Sequence, residues 1–287
     1  MTSALLIILG AFFFAVMTAI SQHLAGVFHP IFIVALRNSC ALIGLMPMIV
    51  AYWKELCYTL HFPHIRNLLM RAGVGQVATS CWFLGASTLS LPMAMSISFI
   101  TPLLTTLAAI IALKEKVTKW QWTGLIIGFM GVLVILKPGL TPISPGTILV
   151  FSATLCWAIN NVIIKFLSTN YNPFIILIGM MGGMTLFSLP FMVFYWQPIP
   201  ITTVPWIIAL GITTNCWQLS ISYAYRKSTV AFLQPFDFSK LIFASVIGYL
   251  SFGEVLQIHA YVGTFIILLS ATYTTWQEKR HHLVTSL

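Results

Sequence analysis

The sequence predicts an all-α membrane protein with ten transmembrane helices, arranged as two inverted five-helix repeats. Three observations predict it: a composition that water does not solvate, ten long apolar runs, and landmarks that recur at a fixed spacing. Of the 287 residues, 59% are hydrophobic and 7% are charged, with 14 Lys and Arg against five Asp and Glu. A soluble domain carries about 25% charged residues, so these few cannot cover a globule of this size. A soluble enzyme, a disordered chain and a nucleic-acid-binding domain are thereby excluded. The solvent is lipid.

A helix crosses a bilayer with about 20 mostly apolar residues. The candidates run over 3–22, 30–52, 65–87, 91–113, 119–137, 146–167, 173–195, 204–225, 228–250 and 257–276. Span 1 lacks the basic n-region and cleavage site of a secretory signal, so it is expected to be retained. Spans 2 and 7 open on Pro30 and Pro173, in the first-turn position that proline favours. Spans 3, 6, 8 and 9 each carry polar residues at depth. Span 5 holds Gly124-x-x-x-Gly128, a face for helix packing or dimerisation. Span 10 runs into a short basic tail. The connectors are too short for a soluble domain, and the runs do not alternate in polarity as barrel strands do. Kinks are expected at Pro47, Pro102, Pro190 and Pro235.

Orientation follows from the basic residues. With ten spans, Lys54, Arg66, Lys114, Lys116, Lys119, Lys165, Arg226, Lys227, Lys279 and Arg280 share the side of both termini, and Lys137 alone lies opposite. Both termini are expected in the cytoplasm, with the chain in the cell inner membrane.

Pro30 and Pro47 precede Pro173 and Pro190 by 143 residues, as Phe14-Ala15 precedes Trp157-Ala158. Glu115 with Gly124 precedes Glu254 with Gly263 by 139. The halves 1–140 and 141–287 therefore read as copies of one five-helix unit. Five is odd, so the second copy crosses in the opposite sense, an arrangement associated with secondary transporters that hold cargo near the midplane.

Three segments carry a more specific signal. These are Ala112-Leu113-Lys114-Glu115-Lys116-Val117 leading to Gly124, Phe252-Gly253-Glu254-Val255 leading to Gly263, and Pro235-Phe236-Asp237-Phe238. With the ten spans they resemble the EamA-type branch of the drug/metabolite transporter superfamily over nearly the whole chain. The resemblance implies a carrier with a central cavity lined by spans 1–4 and 6–9, braced by spans 5 and 10, and working by alternating access. The arginines early in spans 2 and 3 and the segment after Pro235 are similar to carriers that import S-adenosylmethionine, which makes it the leading cargo. An amino-acid or other metabolite exporter of the same family is the alternative.

Charge at membrane depth is expensive and points to function. Arg37, about two turns into span 2, suits a carboxylate or phosphate through its bidentate fork. Asp237 and Lys240 are spaced i,i+3, so they share a helix face, where they either lock each other or bind cargo. Asp237 is the acidic side chain at mid-depth and the expected coupling group. Arg71, near the inner end of span 3, is expected to snorkel to the headgroups.

Gln76, Asn160, Asn161, Asn215 and Gln218, with Trp82 and Trp157 nearby, are matched in depth on several helices. They suit a cavity for a flat, polar small molecule, although interhelical hydrogen bonding explains such residues about as well. Glu115 and Glu254 are expected to serve backbone donors in the turn before the next helix. The five cysteines have no paired spacing, so neither disulfides nor a metal site is expected, and no cofactor is implied. A single aspartate excludes an intramembrane aspartyl dyad, and HExxH and GxSxG motifs are absent. A membrane-embedded enzyme or a structural membrane protein is the alternative of a different class. The expected partners are a small-molecule substrate and the lipid bilayer, without nucleic acid, for a monomer or homodimer.

Overall fold

The computed structural model describes residues 2–59, 64–89, 97–136 and 144–252, and, in the last span, 262–263, 265–270, 272–274 and 276–277. Among the described residues all regular structure is helical. The helices are α1 (Thr2–Ala25), α2 (Pro30–Gly44), α3 (Met46–Ala51), α4 (Trp53–Thr59), α5 (His64–Ala86), α6 (Thr101–Leu113), α7 (Lys119–Leu136), α8 (Pro145–Asn170), α9 (Pro173–Phe194), α10 (Val204–Lys227), α11 (Val230–Asp237) and α12 (Ser239–Phe252). The start of span 4, the boundary between residues 140 and 141, Lys137, Glu254, Lys279 and Arg280 lie outside the described residues.

Among the described residues, four stretches are both long and apolar enough to cross a membrane: Thr2–Ala25, Pro145–Asn170, Pro173–Phe194 and Val230–Ile247. Helices α5 and α10 have the length, at 23 and 24 residues, but not the hydropathy. They hold buried polar side chains instead, among them Arg71, Gln76 and Thr79 on α5 and Thr214, Asn215 and Gln218 on α10. Such groups are stable at depth only when turned toward other helices. The outward faces carry apolar side chains such as Leu5, Ile111, Ile126, Leu186 and Leu269, as lipid contact requires.

Prolines place the breaks. The sequence predicts one helix over 30–52, but the chain breaks at Leu45 (φ −90°, ψ −3°) and Pro47 falls in the first turn of α3. Pro102 likewise opens α6 instead of kinking it. Both use the position where a missing N–H costs nothing. Pro190 lies inside α9 and Pro235 inside α11. Span 9 is divided at Phe238 (φ −62°, ψ −18°), three residues beyond Pro235. Helices α2 and α9 start alike: His29 Nδ1 accepts from the Ile31 N–H at 3.4 Å, and Asn172 Oδ1 accepts from the Phe174 N–H at 3.1 Å, each just before a proline.

Helix α1 lies along α10, and α5 lies along α8. Helix α2 packs on α9, with α10 also against α2 and α5 also against α9. Helix α1 meets α11 and α12, as α8 meets α6. Several crossings depend on glycine. A Cβ on Gly211 would lie 2.9 Å from the Ala41 nitrogen, and one on Gly85 would lie 2.7 Å from Val150 Cγ2. Close backbone approach of this kind is how helices associate where no hydrophobic force drives them together.

Candidate functional site

A cavity sits inside the bundle, walled by residues from α1, α2, α5, α6, α8, α9, α10, α11 and α12. Its polar lining includes Arg37, Asn160, Asn161, Gln218, Asp237 and Lys240, and Phe14, Trp157 and Trp217 give it aromatic surfaces. An adjoining space shares Phe14, Arg37, Trp157 and Trp217 and adds Trp82. It runs toward the end where α1 stops and α2 begins, past Ser21, Gln22, Pro30 and Ser87. The Trp82 and Trp157 rings lie 5.1 Å apart at 47°, and Phe14 and Trp217 lie 4.8 Å apart at 58°. Such tilted pairs are favourable ring geometries.

Asp237 and Lys240 form a salt bridge, with Lys240 Nζ 2.6 Å from Oδ1 and 2.8 Å from Oδ2. Asp237 ends α11 and Lys240 lies in the first turn of α12, so the pair bridges the break at Phe238. The ammonium also lies 4.9 Å from the Phe14 ring centre and 6.0 Å from that of Trp217, within range of a cation–π attraction.

Arg37 is 3% exposed. Its Nε and Nη2 donate to Asn38 Oδ1 at 3.2 and 2.8 Å. Asn38 Nδ2 in turn donates to Gln76 Oε1 at 2.9 Å and to the Met184 carbonyl at 3.4 Å, and Gln76 Nε2 donates to Ser80 Oγ at 3.3 Å. These bonds aim the guanidinium without neutralising it, because every acceptor in the chain is uncharged. Gln76 thus stands behind Arg37, away from the cavity wall.

Arg71 does not snorkel. It is 0% exposed, and its Nη1 and Nη2 donate to the Ile176 carbonyl and to Gln218 Oε1 at 3.1 and 3.0 Å. Helix α9 packs beside α5, and the Ile176 carbonyl of α9 and the Gln218 side chain of α10 supply acceptors inside the bundle. Asn215 lies off the cavity: its Nδ2 donates to the Ala41 carbonyl at 2.9 Å, tying α10 to α2 beside Gly211. Asn161 lines the cavity while donating to Thr105 Oγ1 at 3.3 Å. Asn160 Oδ1, Thr101 Oγ1 and Trp217 Nε1 are buried without a hydrogen-bond partner, and all three residues line the cavity.

The site also contains residues that sequence reasoning did not select. Asn38 carried the same signal that picked Gln76, an amide inside an apolar run. Thr79 offered none, since a hydroxyl that bonds its own helix, here the Gly75 carbonyl at 2.8 Å, is ordinary in a membrane helix.

The other end of the bundle is held by polar contacts around the turn joining α10 to α11. Glu115 accepts from the Val230 N–H through both oxygens at 3.1 Å and from the Ala231 N–H at 3.4 Å. Lys165 Nζ donates to the Tyr225 and Ser228 carbonyls, each at 2.7 Å. Ser228 Oγ donates to Ser3 Oγ at 2.6 Å. Glu115 serves backbone donors as expected, but those of α11 rather than those of the turn before α7. Lys114, at the end of α6, takes a left-handed conformation (φ 53°), which reverses the chain and frees Glu115 to cross the bundle. Among the described residues no group of three or more His, Cys, Asp or Glu could hold a metal ion.

Comparison with known proteins gives concordant matches. Residues 1–137 and 144–276 match the EamA-like transporter family. A riboflavin transporter of Vibrio cholerae is 29% identical over 217 residues, covering 74% of this chain and 72% of its own. An S-adenosylmethionine uptake transporter of Rickettsia bellii is 24% identical over 262 residues, covering 91% of this chain and 88% of its own. A solved crystal structure superposes with a TM-score of 0.79 at 14% identity, over 97% of this chain and 96% of that one, a likeness of fold.

Proposed function

The chain belongs to the EamA-like transporter family, and from that premise we propose that it is a secondary carrier moving a small polar metabolite across the cell inner membrane by alternating access. The family and the named relatives are transporters in a membrane. The observation that carries the finer reading is the cavity, whose wall joins Arg37 from one matched stretch to Asn160, Gln218, Asp237 and Lys240 from the other.

Ten spans in two inverted repeats, 1–140 and 141–287, are supported by the way the helices pair. The α1–α10 contact is answered by α8–α5, and the contact of α1 with α11 and α12 by that of α8 with α6. An exchange of the two halves produces this pattern. The matched caps of α2 and α9 support it as well. Cytoplasmic termini are supported by the one-sided basic residues. In that orientation the cavity continues toward the outer face, and the contacts of Glu115 and of Lys165 with the turn between α10 and α11 close the inner end. Alternating access reverses the two.

S-adenosylmethionine remains the leading cargo, supported by relatives of that name along nine-tenths of the chain. Arg37 suits its carboxylate, the aromatic wall its adenine, and Asp237 its cationic groups. Riboflavin is the second reading, favoured by the Trp82–Trp157 pair and by the more similar relative. The test is time-dependent uptake of each labelled compound into proteoliposomes. Saturable accumulation above empty vesicles supports the carrier, and binding without accumulation overturns it. A true cargo at about 100 times its Kd also adds about 2.7 kcal/mol of stability.

A further inference from the structure

We infer that Arg71 is a positioning residue: it fixes the Gln218 side-chain amide so that the NH2 group faces the cavity and donates to an acceptor atom of the cargo. The inference deepens the carrier reading and rests on it for the cargo, but not for the geometry. An arginine has five N–H donors and no acceptor. The Gln218 atom 3.0 Å from Arg71 Nη2 is therefore the amide oxygen; an NH2 group there would set donor against donor. Arg71 cannot swing away to release it. Its side chain is fully buried, and its Nη1 is held by the Ile176 backbone carbonyl on α9 at 3.1 Å.

With its oxygen occupied, Gln218 has one polar end left. The residue lines the cavity, and its NH2 group bonds no described residue. A glutamine free to turn would serve a donor or an acceptor equally; this one serves an acceptor. Arg37 in the same wall is also a donor, and although Asn160 Oδ1 there is an acceptor without a partner, it does not change what Gln218 itself offers. Asp237, the one carboxylate among the described residues of that wall, is already engaged by Lys240. The chemistry selected at position 218 is thus a carboxylate or a ring carbonyl. Placing an ammonium there would set like polarity together, and a site built for one hydrogen-bonding sense rejects the other strongly.

The test uses the full chain with Gln218→Glu, Gln218→Leu and Arg71→Gln. Gln218→Glu keeps an acceptor for Arg71 but removes the donor, so its Tm is expected at or above that of the parent. Gln218→Leu strands a buried cation and is expected to lower Tm by several degrees. A leucine variant as stable as the parent overturns the Arg71–Gln218 bond, whatever the cargo. In proteoliposomes, S-adenosylmethionine probes a carboxylate and riboflavin probes ring carbonyls. Gln218→Glu is expected to raise KM about tenfold or more for the transported probe with maximal rate little changed, since one charge-assisted or neutral bond is replaced by repulsion. Which probe responds identifies the acceptor. Arg71→Gln, which permits either amide orientation, is expected to raise KM by a smaller factor. An unchanged KM for both probes in Gln218→Glu overturns the donor assignment and leaves the carrier reading intact. If the parent protein accumulates neither probe, it is the cargo reading that fails, and the Tm comparison still decides the positioning role.

Discussion

Both carboxylate oxygens of Glu115, two residues beyond α6, accept the backbone N–H of Val230, the first residue of α11, at 3.1 Å. A carboxylate on a helix N-terminus satisfies orphan donors and meets the positive end of the helix dipole. Lys165 holds the other side of the same turn by the carbonyls that close α10. Negative charge at a helix start and positive charge at a helix end each have the favourable sign. The two clamp one short turn from opposite sides.

Glu115→Ala is expected to lower stability by about 1–2 kcal/mol, the usual cost of a lost N-terminal cap. Thermal unfolding in detergent reads it. Glu115→Gln should lose less, because one oxygen still accepts. A Tm unmoved by either change would remove Glu115 from the closed end.

Asp237→Asn is expected to abolish transport while the protein still inserts in the membrane. It also leaves Lys240 without its counter-charge, at a cost of about 3 kcal/mol. The double variant Asp237→Asn with Lys240→Met should recover stability and not transport. Parent-like transport by Asp237→Asn would assign the pair to helix packing alone.

Arg37→Lys is expected to weaken an anionic cargo about tenfold, since an ammonium lacks the planar fork. Asn38→Ala leaves Arg37 charged but no longer aimed, so it should raise KM more than it lowers the maximal rate. Equal uptake kinetics in both variants would dissociate Arg37 from the cargo.

Gly211→Val and Gly85→Leu are each expected to destabilise the protein by about 1–3 kcal/mol or more, because the added carbons meet backbone or Val150 at under 3 Å. Expression of folded protein and its Tm are the measurements. Gly182, where a Cβ meets nothing within 4 Å, should accept alanine without loss and is the control.

Lys114→Gly is expected to raise stability by about 1 kcal/mol, the cost an L-residue bears in the left-handed region. Lys114→Val, β-branched, should lower it. Matching unfolding midpoints for both would contradict the turn at the end of α6.

Most of the helical order was legible because apolar runs of fixed length leave few alternatives in lipid. The runs over 3–22, 146–167 and 173–195 lie within α1, α8 and α9 or within a residue of them. The break at Leu45 was not legible, since Pro47 is equally consistent with a kink. Depth in the sequence selected Arg37, Gln218, Asp237 and Lys240, which the fold brings to one cavity. It selected Asn215 by the same criterion, though that residue joins α10 to α2. Depth says how far along a helix a group lies, not which way it faces. Arg71 illustrates the same gap: whether a basic side chain near a helix end reaches the headgroups depends on which acceptors the neighbouring helices present.

On the carrier reading proposed above, the ion pair across Phe238 would act as a tether on the empty protein. Swinging α11 against α12 means stretching Asp237 from Lys240 with nothing to replace either partner. A cargo that offers its own charge to one of them would release the tether as it is loaded. Movement of the unloaded protein would then be the slow step. On that reading, vesicles preloaded with cargo should exchange it for labelled cargo faster than empty vesicles fill, and lengthening the tether's reach with Asp237→Glu or cutting it with Lys240→Met should narrow that difference.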